Sequence, residues 1–212
     1  MMTRIKLFFE LLFWKIKKNR EGKLEHSHYE FFYTDYFSIQ RSFYEGKNIL
    51  DIGCGPRGSL EWADMAKERI GVDPLADRYL ELGADQHKMK YVKANAEDLP
   101  FGDDYFDLVS SFNSIDHVIR LEQVCSEISR VLKPGGTLLL IVDVHARPWI
   151  TEPQVIRWDF ISRYFPDFEV LEEHHLESVK NNRIYSNVRA NVKARNEKKQ
   201  KGVLTAKLKK IP

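Results

Sequence analysis

The stretch NILDIGCGPRG at residues 48–58 decides the fold class, because it places a glycine loop directly after a short apolar strand. Gly53, Gly55 and Gly58 have the spacing G-x-G-x-x-G, and glycines at such a turn let backbone N–H groups approach a ligand closely. About twenty residues beyond the loop, a second predicted strand ends at Asp73, whose carboxylate can accept both hydroxyls of an adenosine ribose. Together these features predict a nucleoside-cofactor site.

The chain after Lys47 alternates between short apolar strands and helices, which is typical of a parallel sheet covered on both faces. The predicted strands are 48–52, 69–72, 90–94, 106–111 and 137–142, and the predicted helices are 59–67, 76–82, 115–119, 121–132 and 153–165. Residues 168–179 and 183–194 predict an antiparallel pair of strands joined at Asn181 and Asn182. We therefore expect an α/β fold with a Rossmann-like, doubly wound, mostly parallel sheet.

The first 46 residues predict an N-terminal helical cap. A helix over residues 1–20 carries two apolar stripes, formed by Ile5, Phe8, Phe9, Leu12 and Ile16 and by Leu7, Leu11 and Trp14. Such a helix packs on the protein body or on a second subunit of a dimer, or else its basic flanks place it at a membrane interface. Residues 29–44 hold eight Phe and Tyr residues, which we expect to close over the cofactor and the acceptor.

The charge is unevenly distributed along the chain. The net charge of +2 is the sum of +4 in residues 1–25, −9 in residues 26–192 and +7 in residues 193–212. We therefore expect three parts: a cap over 1–46, a cofactor-binding domain over 47–194 and a loose, basic C-terminal tail over 195–212. With two cysteines and no apolar run near 20 residues, we expect a cytoplasmic protein whose membrane contact, if it has any, is peripheral.

Asp51 indicates which nucleoside cofactor the loop binds. A dinucleotide enzyme places a pyrophosphate at this position, at the N-terminus of the following helix. Asp51 stands two residues before Gly53, and a carboxylate there repels phosphate but suits a cation. S-adenosylmethionine carries an ammonium group and a sulfonium, so Asp51 favours methyl transfer over hydride transfer.

Five segments in order extend this interpretation: ILDIGCGPRGS, GVDP, NAEDLPF, FDLVSSFNSIDHV and ISRVLKPGGTLLLIV. Over roughly residues 47–145 the chain resembles the class I S-adenosylmethionine-dependent methyltransferases, in particular those of type 11. The resemblance implies a seven-stranded sheet with one antiparallel strand and S-adenosylmethionine as the cofactor. One departure is Arg57, where many members of the family carry glycine, and we expect Gly58 to compensate for it.

The resemblance also implies roles for individual residues. Gly53 and Gly55 would line the methionine part of the cofactor, and Asp73 would hold the ribose. Ala96 and Glu97 would lie by the adenine, and Ser111 or Phe112 would lie near the sulfonium.

The acceptor should bind outside the carboxyl ends of the fourth and fifth strands. Asn113, Asp116 and His117 follow the fourth strand, and Asp143, His145, Arg147 and Trp149 follow the fifth, with Glu152 and Trp158 beyond them. As general base we predict His145 first, because imidazole titrates near neutral pH. His117 and Glu152 are the next candidates. The predicted substrate-binding residues are Asn113, Arg147, Trp149 and Trp158. We predict no metal site, since no tight ligand spacing occurs.

The sequence leaves the identity of the acceptor open. A small molecule or a saccharide fits the polar and aromatic segment after the fifth strand. The basic tail suggests nucleic acid as the runner-up, although the acidic body argues against it. A cofactor-binding module without catalysis is a further alternative.

Overall fold

A computed structural model describes residues 2–25, 29–148, 152–179 and 183–212, with side chains from residue 7 onward. The predicted α/β class is confirmed by a seven-stranded sheet in the order β3-β2-β1-β4-β5-β7-β6. The strands are β1 Asn48–Ile52, β2 Glu68–Val72, β3 Lys90–Val92, β4 Phe106–Phe112, β5 Leu132–His145, β6 Phe168–Leu176 and β7 Lys201–Lys210. The neighbours β1/β2, β2/β3 and β4/β5 are parallel, whereas β7 runs antiparallel to both β5 and β6. The predicted single antiparallel strand is therefore present.

The chain divides into two compact units, Met1–Ala96 and Glu97–Pro212. The helices of the first unit are α1 Met2–Glu21, α2 Glu30–Tyr33 and α3 Ala76–Glu81, with short 3-10 turns at Asp35–Phe37, Arg41–Tyr44 and Ala84–Gln86. In the second unit lie α4 Leu121–Val131, α5 Phe160–Tyr164 and α6 Ile184–Ala190, with 3-10 turns at Ile115–His117 and Glu197–Lys199. No described helix is long and apolar enough to cross a membrane.

The aromatic residues of the cap form a packed core within the first unit. The rings of Tyr33 and Tyr44 lie 5.5 and 4.8 Å from the ring of Trp62, and the hydroxyl of Tyr44 donates to the carbonyl oxygen of Tyr33 at 2.5 Å. Phe32 and Phe37 are fully buried. Burial of these rings explains why so dense an aromatic stretch follows the first helix.

The predicted helix at 59–67 is wrong, because this segment forms successive turns. Its backbone bonds span three residues, as from Glu61 N–H to the Gly58 carbonyl and from Ala63 N–H to the Leu60 carbonyl. The guanidinium of Arg69 donates hydrogen bonds to the carbonyl oxygens of Leu60 and Glu61 at 3.4 and 2.6 Å. In a helix these carbonyl oxygens would accept from backbone N–H groups. Because the Arg69 side chain satisfies them instead, the turns are stable without a helix. The predicted helix at 153–165 is likewise reduced to α5.

The predicted strand at 183–194 and the predicted loose tail at 195–212 are also wrong. Residues 184–190 form α6, and the tail supplies β7, which lies between β5 and β6. Two properties of the tail explain this placement. Val203, Leu204, Ala206 and Leu208 are fully buried. Two of the lysines are paired, since Lys207 bonds Glu172 and Lys210 donates to the carbonyl of Leu132. Burial and pairing together outweigh the positive charge that suggested a loose tail. The joining residues Asn181 and Asn182 lie outside the described residues.

Candidate active site

The glycine loop in the first unit has the backbone geometry that its glycines predict. Gly53 and Gly55 have φ angles of 74° and 56°, in the left-handed region that residues with a Cβ rarely adopt. The N–H of Gly53 donates to the Val72 carbonyl at 2.8 Å, which ties the loop to the end of β2. The loop thus keeps a tight turn beside the ends of β1 and β2, where Asp51 and Asp73 lie.

Asp51, at the end of β1, is a buried carboxylate. The hydroxyl of Ser59 donates to it at 2.5 Å. Tyr29 lies within electrostatic reach: burial, and next the negative charge of Asp51, raise the pKa of the Tyr29 phenol to about 12. Asp51 therefore gives this end of β1 negative potential, as a cationic part of a ligand requires.

Asp73, directly after β2, is buried and faces both the glycine loop and α1. Its carboxylate accepts from the N–H of Leu75 at 2.9 Å and from the N–H of Gly55 at 3.4 Å. Burial, and next the charge of Glu10, raise the pKa of the Asp73 carboxyl to about 7. A buried carboxylate is stabilised by hydrogen bonds from hydroxyl groups, and a ribose supplies such hydroxyl groups.

Helix α1 lies against these residues, a location on the protein body that the sequence did not indicate. Glu10 accepts a hydrogen bond from the Tyr79 hydroxyl at 3.1 Å. A Cβ added at Gly55 would lie 3.6 Å from the ring of Trp14, so the indole covers the loop. The one available signal was the second apolar stripe of α1, which contains Trp14 and requires a surface to pack on.

Arg57, the departure from the family pattern, connects the glycine loop to α1. Its guanidinium donates to the Glu21 carboxylate at 2.5 Å and lies 5.4 Å from the centre of the Trp14 ring. The Arg57 side chain is only 7% exposed. The hydrogen bond from Arg57 lowers the pKa of Glu21. An arginine in place of glycine thus has a structural role here, and Gly58 retains a positive φ of 68° beside it.

These residues fit S-adenosylmethionine better than a dinucleotide. Asp51 and Asp73 are two buried carboxylates at adjacent strand ends. Buried carboxylates attract an ammonium group and accept from ribose hydroxyls, but they repel a pyrophosphate. The donor and acceptor chemistry of the first unit therefore agrees with the predicted cofactor.

The other predicted cofactor residues occupy ordinary positions in their own units. Ala96 is buried at the end of the first unit. In the second unit the Glu97 carboxylate accepts from the N–H groups of Ile119 and Arg120 at 2.9 and 3.3 Å, at the start of α4. Ser111 and Phe112 end β4, where the Ser111 hydroxyl shares a 2.7 Å hydrogen bond with that of Ser114. Glu97 thus stabilises the start of α4, a role that spacing alone did not suggest.

The second unit gathers acidic and imidazole groups after β4 and β5. One side-chain ligand atom from each of Asp116, His117 and Glu152 lies within 4.8 Å of the others. Burial, followed by the charges of Asp116 and Glu152, raises the pKa of the Asp143 carboxyl to about 7. The predicted residues His117 and Glu152 are therefore brought together, and Asp116 and Asp143 add two carboxyl groups to them.

His145, at the end of β5, has a defined tautomer. Its Nδ1 lies 2.8 Å from the carbonyl oxygen of Arg147, which can only accept, so Nδ1 carries the proton. Its Nε2 is buried and has no hydrogen-bond partner among the residues that the structure describes. In the neutral ring, Nε2 is therefore the nitrogen that can accept a proton.

The predicted substrate-binding residues separate into different environments. Asn113 has a left-handed φ of 55° at the end of β4, and Arg147 is exposed. Trp158 is buried, with its ring 4.5 Å from that of His175. Trp149 lies outside the described residues.

Comparison with known proteins agrees with this geometry. Residues 50–140 match the family model described as a methyltransferase domain. A demethylmenaquinone methyltransferase of Listeria welshimeri is 35% identical over 109 residues, which are 46% of this chain and 45% of the relative. A sterol 4-C-methyltransferase of Caenorhabditis elegans is 35% identical over 45% of this chain and 31% of its own. The chain thus spans less than half the length of these relatives.

Two solved structures share the fold. The geranyl diphosphate C-methyltransferase of Streptomyces coelicolor, solved with S-adenosyl-L-homocysteine, has a TM-score of 0.62 and 19% identity over 87% of this chain and 77% of its own. The cyclase SpnF has a TM-score of 0.69 and 17% identity over 98% and 95% of the two chains. The predicted resemblance to class I S-adenosylmethionine-dependent methyltransferases is confirmed over residues 50–140, and it supports the predicted enzyme class and cofactor. The similarity to a cyclase means that fold alone does not decide the reaction.

Proposed function

We propose that this chain transfers a methyl group from S-adenosylmethionine to a small-molecule acceptor that gives up a proton in the reaction. The observation that carries the proposal is the pair of buried carboxylates, Asp51 and Asp73, beside the glycine loop. They lie inside the segment that matches the methyltransferase domain model. Asp73 would hold the ribose hydroxyls, and Asp51 would face the ammonium group.

S-adenosylmethionine, when bound, supplies an electrophilic methyl group. The chain supplies a base for the acceptor. We assign that role to His145, because its Nδ1 is fixed as a donor and its Nε2 is left as the proton acceptor. His117 and Glu152 are the next candidates, since they stand beside the buried Asp116. A positioned base of this kind typically contributes a factor of about 10²–10⁴ in rate.

The acceptor class follows from the same residues. This part of the second unit carries the carboxyl groups of Asp116, Asp143 and Glu152, which disfavour a nucleic-acid backbone. The relatives are named for a menaquinone precursor, a sterol and geranyl diphosphate, all small molecules with long apolar parts. We therefore place a small apolar acceptor ahead of a saccharide for this chain.

The test follows S-adenosylhomocysteine release across a panel of quinols, sterols, prenyl compounds and sugars. We expect release with at least one apolar acceptor, and a fall of about 10²-fold or more in kcat for His145→Gln with cofactor binding unchanged. His174→Gln, in a histidine of β6, serves as the matched control. If the cofactor binds but no acceptor yields S-adenosylhomocysteine, a binding module or a reaction such as cyclisation replaces this proposal.

A further inference from the structure

Helix α1 presents an apolar face to solvent. Five large side chains along it are each 41% to 62% exposed: Phe8, Phe9, Leu12, Phe13 and Ile16. Their spacing places them on one side of the helix over about two and a half turns. We call this set the outer face of α1. Single exposed apolar residues are normal, but a contiguous row with three aromatic rings is not.

The opposite side of α1 is already occupied within its own unit. Leu7, Leu11 and Trp14 pack against a buried cluster that contains Leu75 and Tyr79. Hydrogen bonds from Tyr79 to Glu10 and from Arg57 to Glu21 hold the same side. The helix therefore cannot turn its outer face inward without losing these contacts.

Cations surround the outer face. Lys15 and Lys17 flank it on either side and Arg20 continues it at the C-terminal end, as helical spacing places them. The ammonium of Lys17 lies 5.9 Å from the centre of the Phe13 ring and is paired with the Glu21 carboxylate at 3.4 Å, so Lys15 and Arg20 are the more exposed cations of this surface. The acidic residues Glu10 and Glu21 are engaged with the protein. The surface around the apolar row is thus positive, and residues 1–25 carry +4.

We propose that the outer face of α1 docks on an anionic lipid bilayer, with the helix lying in the membrane interface. An apolar row with cationic flanks matches acyl chains below anionic headgroups. A second copy fits less well, because it would bring two +4 segments together. The face also offers only roughly 500 Å², at about 100 Å² for each half-exposed side chain, against about 800 Å² per partner in a stable dimer. This inference does not depend on the proposed reaction.

The test is sedimentation of the full chain with vesicles of phosphatidylcholine alone or with phosphatidylglycerol added. We expect binding to the anionic vesicles that weakens with salt. Phe8→Ser/Phe9→Ser should lower the partition coefficient at least tenfold. Lys15→Gln/Arg20→Gln should lower it roughly fivefold for each charge, on the anionic vesicles only.

The matched control is Val170→Ser/Leu171→Ser, because both residues are exposed apolar side chains of β6, outside α1. This variant should bind as the unchanged protein does, and circular dichroism should show all variants folded. Equal partitioning of the control and the Phe8/Phe9 variant would overturn the proposal. So would a dimer in sedimentation velocity that the Phe8/Phe9 substitution dissociates while vesicle binding is absent.

Discussion

The guanidinium of Arg57 and the carboxylate of Glu21 form a 2.5 Å hydrogen-bonded ion pair that joins the glycine loop to α1. The arginine side of the pair is buried, and it also covers the indole of Trp14. A buried arginine that loses its partner is costly, because its charge is left desolvated. The pair therefore couples the order of the cofactor loop to the docking of α1.

Removal of this pair should loosen both elements. We expect Glu21→Gln to lower Tm modestly and Arg57→Ala to lower it by about 3 °C or more, with faster trypsin cleavage near Lys23. Because the pKa of Glu21 is lowered in the folded protein, its contribution is present above its ordinary pKa and is lost as pH falls through the lowered value. The Tm difference between Glu21→Gln and the unchanged protein should therefore vanish in acid. An equal difference at pH 3 and pH 7 would contradict this account.

Asp73 should make cofactor binding depend on pH. Its pKa is raised to about 7, so the carboxylate that would accept the ribose hydroxyls forms only as pH rises through that value. We expect the affinity for S-adenosylhomocysteine, measured by calorimetry, to increase from pH 6 to pH 8. Asp73→Asn should weaken binding roughly 10- to 100-fold at pH 8 and remove the pH dependence.

Glu10 provides an internal control for the same titration. Its negative charge is the second cause of the raised pKa of Asp73, after burial. Glu10→Gln should therefore move the midpoint of the pH dependence to lower pH while the midpoint remains above the ordinary value for an aspartate. An unchanged midpoint would contradict this account, because it would show that the charge of Glu10 on α1 does not affect the pKa of Asp73 in solution.

Asp143 should make the protein less stable as pH rises. Its pKa is raised from 3.8 to about 7, so between these values the folded protein binds more protons than the unfolded chain. The free energy of unfolding should then fall with increasing pH over that range. Asp143→Asn should reduce this slope in urea titrations at several pH values, whereas Asp167→Asn, at an exposed carboxyl, should leave it as it is.

The place of β7 can be tested at Gly202. A Cβ there would lie 2.3 Å from the carbonyl oxygen of Leu176 and 2.5 Å from the ring of Trp158. We expect Gly202→Ala to cost about 1–3 kcal/mol in the free energy of unfolding, as overpacking does. The control is Gly102→Ala, where no atom of the described residues lies within 4 Å of the added Cβ, and its effect should stay within about 0.5 kcal/mol.

Local patterns predicted some elements well and failed on others for identifiable reasons. The strand at 48–52 was predicted with its correct bounds, since its apolar run ends at a glycine loop. The strand β7 was missed because three of its last four residues are lysines, whose partners lie far away in the chain. The contacts of Trp14 and Arg57 with each other could not be predicted either, because they depend on how α1 docks. Among the site residues, the proximity of His117 to Glu152 is likewise a product of folding.

The position of β7 also has a consequence for the order of folding. It comes after β6 in the chain but lies between β5 and β6 in the sheet. During synthesis β6 therefore has no neighbour to pair with until residues 201–210 have left the ribosome. The sheet of the second unit closes by insertion of a late segment, a non-local step that is slow and leaves the edge of β5 exposed in the meantime. In the cell, that interval is the time when the nascent chain most needs protection from aggregation.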